Sequence, residues 1–410
     1  MNPNRMLTPE EARTIVLDHI APLGPERVAL LDAAGRVLAR DVLARRDNPP
    51  YDNSAMDGFA VRHADVARAS AAAPVALTVA EDIPAGAVPQ KVVGPGQTSR
   101  IMTGAPVPEG ADTIVPVEDT RGEGDRIEVL DVEEKGENIR RAGEDMRGGE
   151  TIIKAGTECG PGELAVLAAV QQSFVAVHRR PQIAILSTGD ELVEIEETPG
   201  EGQIVNSNTT ALAAFCRAHG AEPVMLPTVP DDEAAIRTTV EAALRADFAV
   251  SSGGVSVGEY DFVKKVLDDL GAETIFWRVA MKPGKPLVFC TIGGGPYFGL
   301  PGNPVSSMMS FLQFVRPAIR KASGYPRDAW DLPEARAVIE HPVKNDGGRR
   351  QYMRATLTCR DGQLHARTAR SQGSHMISSM LGANGFVVLE PEQQIAQGGE
   401  VTVQIIDRLF

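Results

Sequence analysis

Between Pro181 and Ala322, short apolar runs alternate with longer amphipathic segments, and this alternation constrains the fold more than any other feature. The apolar runs have the length of buried strands, and the amphipathic segments have the length of helices. Strands alternating with helices form β-α-β units, which require a mostly parallel sheet. Ligands bind beyond the carboxyl ends of the strands in such a sheet. We therefore predict an α/β domain over residues 179–325 with a site at its strand ends.

Short β-prone runs separated by glycine and proline dominate the rest of the 410-residue chain. Residues 47–146 are predicted to form a small, mostly β domain. Residues 1–46 and 147–178 flank that domain, and we predict that they pack together as a linking domain into which it is inserted. Residues 326–410 contain short strands typical of a small β barrel or sandwich, of which we favour the barrel. The expected fold class is multidomain α/β plus β.

Composition narrows the classes of function. The net charge of -14 disfavours nucleic-acid binding, which usually needs a basic face. The sequence contains no run of about 20 apolar residues, so no membrane span is expected. The first residues do not resemble a signal peptide. Four widely separated cysteines argue against a disulfide framework or a zinc site and favour free buried thiols. We expect a cytoplasmic protein.

Glycines and serines follow the third predicted strand of the α/β domain. The residues of this loop that we predict to bind a ligand are Ser252, Gly253, Gly254, Ser256 and Gly258. Glycines let the backbone approach a ligand and expose successive N–H groups, which suits an anion or a polar ring edge. The loop matches neither a P-loop nor a dinucleotide fingerprint. A simple turn remains an alternative.

Acidic and basic side chains follow other strands at the same predicted edge. They are Asp190, Glu191, Asp231, Asp232, Asp261, Arg278, Lys282 and Lys285. Clustered carboxylates with fixed cations suit a divalent metal that holds phosphates. Helix capping is the alternative for one or two of the acids, and simple solvation is the alternative for the lysines.

The last predicted helix of the α/β domain begins after a proline–glycine turn. Its first residues include Pro301, Gly302, Asn303 and Ser306, and its free N–H groups predict a further anion site. A bare turn explains the serine equally well. We interpret His375, in a polar loop near the C-terminus, as a surface histidine.

Seven motifs in series give the chain a specific resemblance. They are PPYDNSAMDGFA (49–60), IMTGAPVP (101–108), GED (143–145), STGDEL (187–192), SSGGVSVGEYD (251–261), KPGKP (282–286) and GLPGNPVS (299–306). In this order they resemble the molybdopterin molybdenumtransferases of the bacterial MoeA type, and the E domain of gephyrin is similar. The resemblance covers nearly the whole chain from about Leu7.

The resemblance implies four subdomains per chain, an elongated linking domain, and a homodimer whose partner subunit contributes loops to the active site. It implies that the enzyme takes adenylylated molybdopterin and molybdate, inserts molybdenum and releases AMP with the help of Mg²⁺. The α/β domain resembles the molybdopterin-adenylating protein, which is therefore expected as a partner.

The resemblance also implies site residues, carried over residue by residue from the family's functional positions. Catalytic roles are implied for Asp57, Thr103, Asp145, Glu191, Asp231, Asp261 and Lys282, with Glu191, Asp231 and Asp261 as metal ligands. Binding roles are implied for Arg140, Arg278, Arg354 and Ser374. Two positions depart from the family: Arg278 replaces a lysine of some relatives, with a planar fork in place of a point charge, and Tyr260 stands where relatives commonly have a small residue.

Two other functions remain open. A scaffold that binds the pterin or a partner protein would not require Asp57, Asp231, Asp261 and Lys282. A pterin adenylyltransferase, suggested by the α/β domain alone, would not require the flanking β domains. The presence of these four residues and of the β domains therefore favours the transferase over both alternatives.

Overall fold

A six-stranded sheet occupies the middle of the chain in the computed structural model, which describes residues 5–122, 124–132, 134–254 and 262–406. Its strands are β1 (Gln182–Ser187), β2 (Glu222–Met225), β3 (Phe248–Ser252), β4 (Glu273–Arg278), β5 (Pro286–Ile292) and β6 (Gly295–Leu300). Their order is β2-β1-β3-β6-β5-β4, and of these six only β5 runs opposite to the others. The mostly parallel α/β sheet is confirmed, and five carboxyl ends share one edge with the start of β5.

Helices cover both faces of this sheet because its strands are apolar on both sides. Ile183 and Ile185 belong to one core, whereas Ala184 and Leu186 belong to the other, as the two-residue period of a strand requires. The helices of the domain are Ser207–Ala218, Glu233–Ala243, Phe262–Asp269 and a final helix made of Pro304–Ser310, the π-helical Phe311–Val315 and Arg316–Ala322.

The first helix of the chain, Pro9–Asp18, also packs on this domain. Its start follows from a capping box, in which the Thr8 hydroxyl accepts from the Glu11 N–H (3.2 Å) and the Glu11 carboxylate accepts from the Thr8 N–H (2.9 Å). Its fully buried Val16 belongs to the same core as the final helix. The helix therefore contacts the α/β core, although it lies in the segment 1–46 that we assigned to the linking domain.

Segments from both sides of residues 47–146 pair with each other. Strand Pro25–Ala29 is antiparallel to Phe174–His178, and Val42–Leu43 is antiparallel to Thr151–Ile153. Helix Pro161–Ala169 contributes Leu167 to the small core between them. These pairings are what an inserted domain requires, while its exact limits stay a prediction.

The intervening region is a second six-stranded sheet. In spatial order its strands are Thr113–Pro116, Gly58–Val61, Gln97–Ile101, Val75–Ile83, Arg126–Val129 and Thr120–Arg121. A separate pair joins Asn53–Ser54 to Ile139–Arg140. A one-turn helix, His63–Val66, accompanies the sheet.

The C-terminal region is a closed barrel. Its strands are β7 (Glu334–Ile339), β8 (Arg350–Arg360), β9 (Gln363–Thr368), β10 (Gly385–Leu389) and β11 (Glu400–Ile405). The order β8-β9-β7-β11-β10 closes because β10 also pairs with β8. The predicted barrel is confirmed. The short strand Met281–Lys282 of the α/β domain pairs in parallel with the start of β8, so the two domains are joined by backbone hydrogen bonds.

Two further expectations concern the whole chain. Within the part of the chain that the structure describes, no helix combines the length and apolar character needed to cross a bilayer. All four cysteines are free, and three of them are buried whereas Cys359 is exposed.

Candidate active site

A cleft of 490 Å³ opens at the sheet edge, where β1, β3 and β6 end. Its lining residues are Ser187, Thr188, Glu191, Leu192, Ile204, Val205, Asn206, Ser207, Asn208, Ser252, Gly253, Gly302, Asn303, Pro304 and His375. Most of them present hydroxyl, carboxamide or backbone polar groups. The cleft is therefore suited to a polar ligand that needs many hydrogen bonds, at the edge where such a sheet binds ligands.

Glycine is required where the backbone of β3 turns into the cleft. Gly253 and Gly254 have φ of +93° and +63°, a region that L side chains rarely adopt. A Cβ on Gly254 would lie 2.4 Å from Val263 Cγ2 and 2.9 Å from Thr188 Oγ1. The predicted ligand-binding glycines therefore have a structural reason as well, and Gly253 forms part of the cleft wall.

Asn208 joins two sides of the cleft. Its carboxamide donates to Ser252 Oγ (2.8 Å), after β3, and to the Gly302 carbonyl (2.7 Å), after β6. Among the described residues, Asn208 Oδ1 and Thr188 Oγ1 are buried without a hydrogen-bond partner. Buried polar atoms normally have partners, so both atoms are available to a ligand. No pattern in the sequence pointed to Asn208, which is the second residue of the helix Ser207–Ala218.

Three carboxylates lie beside the cleft. Glu191 lines it, and the Asp231 N–H donates to Asp190 Oδ1 (3.0 Å). Desolvation and then the negative charges of Asp190 and Glu191 raise the pKa of Asp231 above its ordinary value. Asp232, by contrast, caps the next helix by accepting from the Ala235 N–H (2.9 Å). The structure thus separates Asp231, as a candidate ligand, from its capping neighbour.

Two of the three predicted metal ligands lie within the residues that the structure describes. Asp261, Ser256 and Gly258 lie outside the described residues, as does Tyr260. Within residues 5–122, 124–132, 134–254 and 262–406, no three His, Cys, Asp or Glu side chains are grouped to hold a metal ion. Glu191 and Asp231 are the two acids of the predicted set that the structure describes, and the metal assignment of all three acids stays a prediction.

The predicted cations lie at the same sheet edge but on another segment. Arg278 ends β4, and Lys282 and Lys285 flank the turn before β5. None of the three lines the cleft. β5 and β6 separate Arg278, at the end of β4, from β3, whereas Lys285 directly precedes β5, which β6 separates from β3. The strand spacing of about 4.8 Å places β4 roughly 10 Å beyond β6, where the cleft ends.

The turn with the two lysines is held on three sides. The Leu7 N–H donates to the Arg278 carbonyl (3.3 Å), and the Ala280 N–H donates to the Leu7 carbonyl (2.7 Å). From the barrel, Arg349 Nη1 donates to the Met281 carbonyl (3.3 Å). A Cβ on Gly284 would lie 2.9 Å from Ser310 Oγ of the final helix. Both lysines are exposed on a turn whose backbone is fixed by other domains.

Arg354 is fully buried in the barrel and does not line the cleft. Its guanidinium donates to the carbonyls of Ser371 (3.2 Å) and Gly373 (3.1 Å) and to Ser379 Oγ (3.0 Å). Burial lowers its pKa. Ser374 follows in the same loop, and its carbonyl accepts from the Val305 N–H (3.1 Å). In this structure Arg354 supports the loop, while a binding role for either residue stays a prediction.

The same loop brings His375 to the cleft wall. We interpreted His375 as a surface histidine, and it is exposed, but the surface concerned is that of the cleft. Only the tertiary arrangement reveals this, since the loop belongs to the barrel and the cleft to the α/β domain.

At the start of the final helix, the predicted residues have different surroundings. Gly302 and Asn303 line the cleft, and the Asn303 side chain makes no capping hydrogen bond. Pro301 and Ser306 are buried and do not line it.

The predicted residues of the inserted domain form their own polar pairs. Asp57 Oδ1 accepts from the hydroxyl and the N–H of Thr103, both at 2.7 Å, and these bonds lower the pKa of Asp57. Asp145 Oδ2 accepts from the Asn48 carboxamide (2.8 Å), and Arg140 is exposed. Among described residues, no hydrogen bond or ion pair connects Asp57, Thr103, Arg140 or Asp145 to the α/β domain.

Known families match the chain along most of its length. Residues 7–170 match the MoeA N-terminal region (domain I and II), residues 184–321 a probable molybdopterin binding domain, and residues 336–406 the MoeA C-terminal region (domain IV).

Curated and solved relatives agree with these matches. The chain is 41% identical over 388 residues to a molybdopterin molybdenumtransferase of Nostoc sp., covering 92% of this chain and 88% of that protein. It is 36% identical over 411 residues to the molybdopterin molybdenumtransferase of Haemophilus influenzae, covering 99% and 100%. The crystal structure of the molybdopterin biosynthesis MoeA protein from Pyrococcus horikoshii has a TM-score of 0.84 and 30% identity, covering 98% of this chain and 100% of that one. The chain therefore belongs to the molybdopterin molybdenumtransferase family of the MoeA type.

Proposed function

We propose that the protein is the molybdenum-inserting enzyme of molybdenum cofactor biosynthesis, and that it takes adenylylated molybdopterin and molybdate and releases AMP. The observation that carries this proposal is the polar cleft at the end of β1, β3 and β6. The curated relatives are named for molybdenum transfer to molybdopterin, and the matched central domain is described as a probable molybdopterin binding domain.

The cleft supplies groups that a pterin phosphate or a nucleotide requires. Asn208 Oδ1 and Thr188 Oγ1 offer unpartnered polar atoms to ring or ribose groups. The backbone at Gly253 and Gly302 has no side chain between it and a ligand. These elements bind and orient the phosphoanhydride so that an oxygen nucleophile attacks phosphorus and AMP departs, a step that depends mainly on positioning and charge stabilisation.

The lysine turn supplies the charge for a second oxyanion. Lys282 and Lys285 are exposed on a turn whose backbone is held by hydrogen bonds with Leu7 of the N-terminal segment and with Arg349 of the barrel domain. Molybdate is a tetrahedral dianion, and fixed ammonium groups neutralise such an ion. Binding of molybdate at this turn, with Arg278 adjacent, would place it at the same sheet edge as the pterin.

A divalent cation such as Mg²⁺ fits the acidic side of the cleft. Desolvation, and then the negative charges of Asp190 and Glu191, raise the pKa of Asp231, so a bound cation at this point would be favoured. Carboxylate oxygens are also the ligands that Mg²⁺ prefers. Glu191 and Asp231 would hold the cation together with Asp261, and it would supply positive charge next to phosphate oxygens.

A homodimer would explain how predicted site residues of the inserted domain reach an active site in the α/β domain. Asp57, Thr103, Arg140 and Asp145 have no described contact with the α/β domain of their own chain. In the proposed dimer they complete the cleft of the partner subunit. We further propose a cytoplasmic location and a transient complex with the molybdopterin-adenylating protein, which makes the substrate.

One experiment tests the reaction. Purified protein is incubated with adenylylated molybdopterin, molybdate and Mg²⁺, and AMP release and molybdenum bound to the pterin are measured together. Equal amounts of both products, and loss of both after chelation of Mg²⁺, are expected. Bound pterin without any AMP release would favour the scaffold, and formation of adenylylated molybdopterin from ATP would favour the adenylyltransferase.

A further inference from the structure

The charge inside the cleft is unusual for a site that binds phosphates. Of its lining residues, only Glu191 and His375 have ionisable side chains, and no lysine or arginine is among them. A phosphate in this cleft therefore has one side chain within the described lining that can present positive charge to it.

His375 is held in position by its backbone. The fully buried Arg354 donates to the carbonyls of Ser371 and Gly373 on one side of the loop. The Val305 N–H, at the start of the final helix, donates to the Ser374 carbonyl at 3.1 Å. A loop fixed on both sides immediately before His375 limits where its ring can lie.

The ring of His375 has no hydrogen-bond partner among the described residues. Its side chain makes no hydrogen bond or ion pair with any residue of the described part of the chain, and it is exposed at the cleft wall. In contrast, another histidine of the barrel domain, His341, is hydrogen-bonded to Thr368 Oγ1 (2.8 Å). An imidazole with both nitrogens open can donate to a phosphate oxygen.

We propose that His375 is a substrate-binding residue that donates to a phosphate oxygen of the adenylylated pterin. This inference rests on the proposed function, and it assigns to the barrel domain a direct contact with the substrate of the α/β domain. The lysine turn does not replace His375, since neither Lys282 nor Lys285 is among the residues that line the cleft.

The test compares the affinities of AMP and of adenosine for the full-length protein, measured by calorimetry. In His375→Ala, AMP binding is expected to weaken about tenfold or more, the effect of losing one charge-assisted hydrogen bond, while adenosine binding stays unchanged. His375→Gln keeps a donor without the charge and is expected to fall between. The KM for adenylylated molybdopterin is expected to be lowest in the unmutated protein, higher in His375→Gln and highest in His375→Ala.

Arg370→Ala is the matched control. Arg370 is an exposed cation of the same domain, five residues before His375, and it lines a different cavity. Its loss is expected to leave both affinities unchanged. Unaltered AMP binding in His375→Ala, an equal loss of AMP and adenosine binding, or an equal loss in Arg370→Ala would overturn the assignment. If the unmutated protein neither binds AMP nor releases it from adenylylated molybdopterin, the proposed function itself fails, and the inference fails with it.

Discussion

Removal of the Asn208 carboxamide is expected to weaken substrate binding by loosening the cleft. This side chain makes two hydrogen bonds, to Ser252 Oγ and the Gly302 carbonyl, which connect the ends of β3 and β6. A typical intramolecular hydrogen bond contributes about 0.5–1.5 kcal/mol net. Asn208→Ala should therefore lower the stability of the α/β domain by roughly 1–3 kcal/mol, twice that single-bond value.

The effect on binding comes from the same two contacts. Without them, the Gly302 turn is free to move away from Ser252, and Asn208 Oδ1 is no longer available to the ligand. We expect the KM for adenylylated molybdopterin to rise about tenfold, the ratio that corresponds to roughly 1.4 kcal/mol, with a smaller change in kcat. Asn208→Asp keeps the shape but replaces the donor with a carboxylate oxygen facing the Gly302 carbonyl, so its KM should rise further.

Asn384→Ala is the matched control for stability. Asn384 also makes two hydrogen bonds, donating to the Leu357 carbonyl (3.0 Å) and accepting from the Leu357 N–H (2.7 Å), but it lies in the barrel. Steady-state kinetics and thermal unfolding are measured for all three variants. The reasoning is refuted if Asn208→Ala retains the KM of the unmutated protein, or if Asn384→Ala raises KM equally.

Three further predictions follow from other contacts. Gly254→Ala should destabilise the α/β domain by roughly 1–2 kcal/mol from the left-handed backbone alone, with Val263 forced to move; unchanged thermal unfolding would contradict this. Lys282→Ala should abolish molybdenum insertion but preserve AMP affinity, whereas the control Lys154→Ala, at an exposed lysine of the linking region, should change neither; calorimetry and metal analysis check both. Burial, with Arg316 and Arg320 nearby, lowers the pKa of His219 from 6.5 to about 4, so over this range the unfolded chain binds a proton that the folded protein does not. Stability should therefore fall as the pH decreases from 6.5 to 4, and His219→Leu should reduce that slope in melting experiments; an identical slope would contradict the assignment.

The strand ends were predictable because sequence pattern and sheet geometry agree there. Apolar runs such as residues 183–186 mark buried strands, and parallel strands must end at a common edge. Ser252, Gly253, Gly302 and Asn303 therefore appear in the cleft where the pattern placed them. Asp231 and Asp232 were not separable by pattern alone, since both follow a strand and precede a helix, and capping geometry distinguishes them.

Other features depend on packing between distant segments. The lysines were predicted to share a pocket with the glycine loop, but neither lines the cleft. They lie on the turn into β5, and β6 separates β5 from β3, an order that the sequence does not show. His375 reaches the cleft because the barrel docks on the α/β domain through Met281–Lys282 and Ser374. Arg354 looks like a loop cation in the sequence, yet it is fully buried beneath the loop that it supports.

A crystal structure of the protein with AMP tests the central claim most directly. The account predicts AMP in the cleft between Asn208 and Asn303, with its phosphate near the ring of His375. AMP bound elsewhere, for example in the 570 Å³ cavity lined by His341 and Arg370, with the strand-end cleft empty, would contradict it.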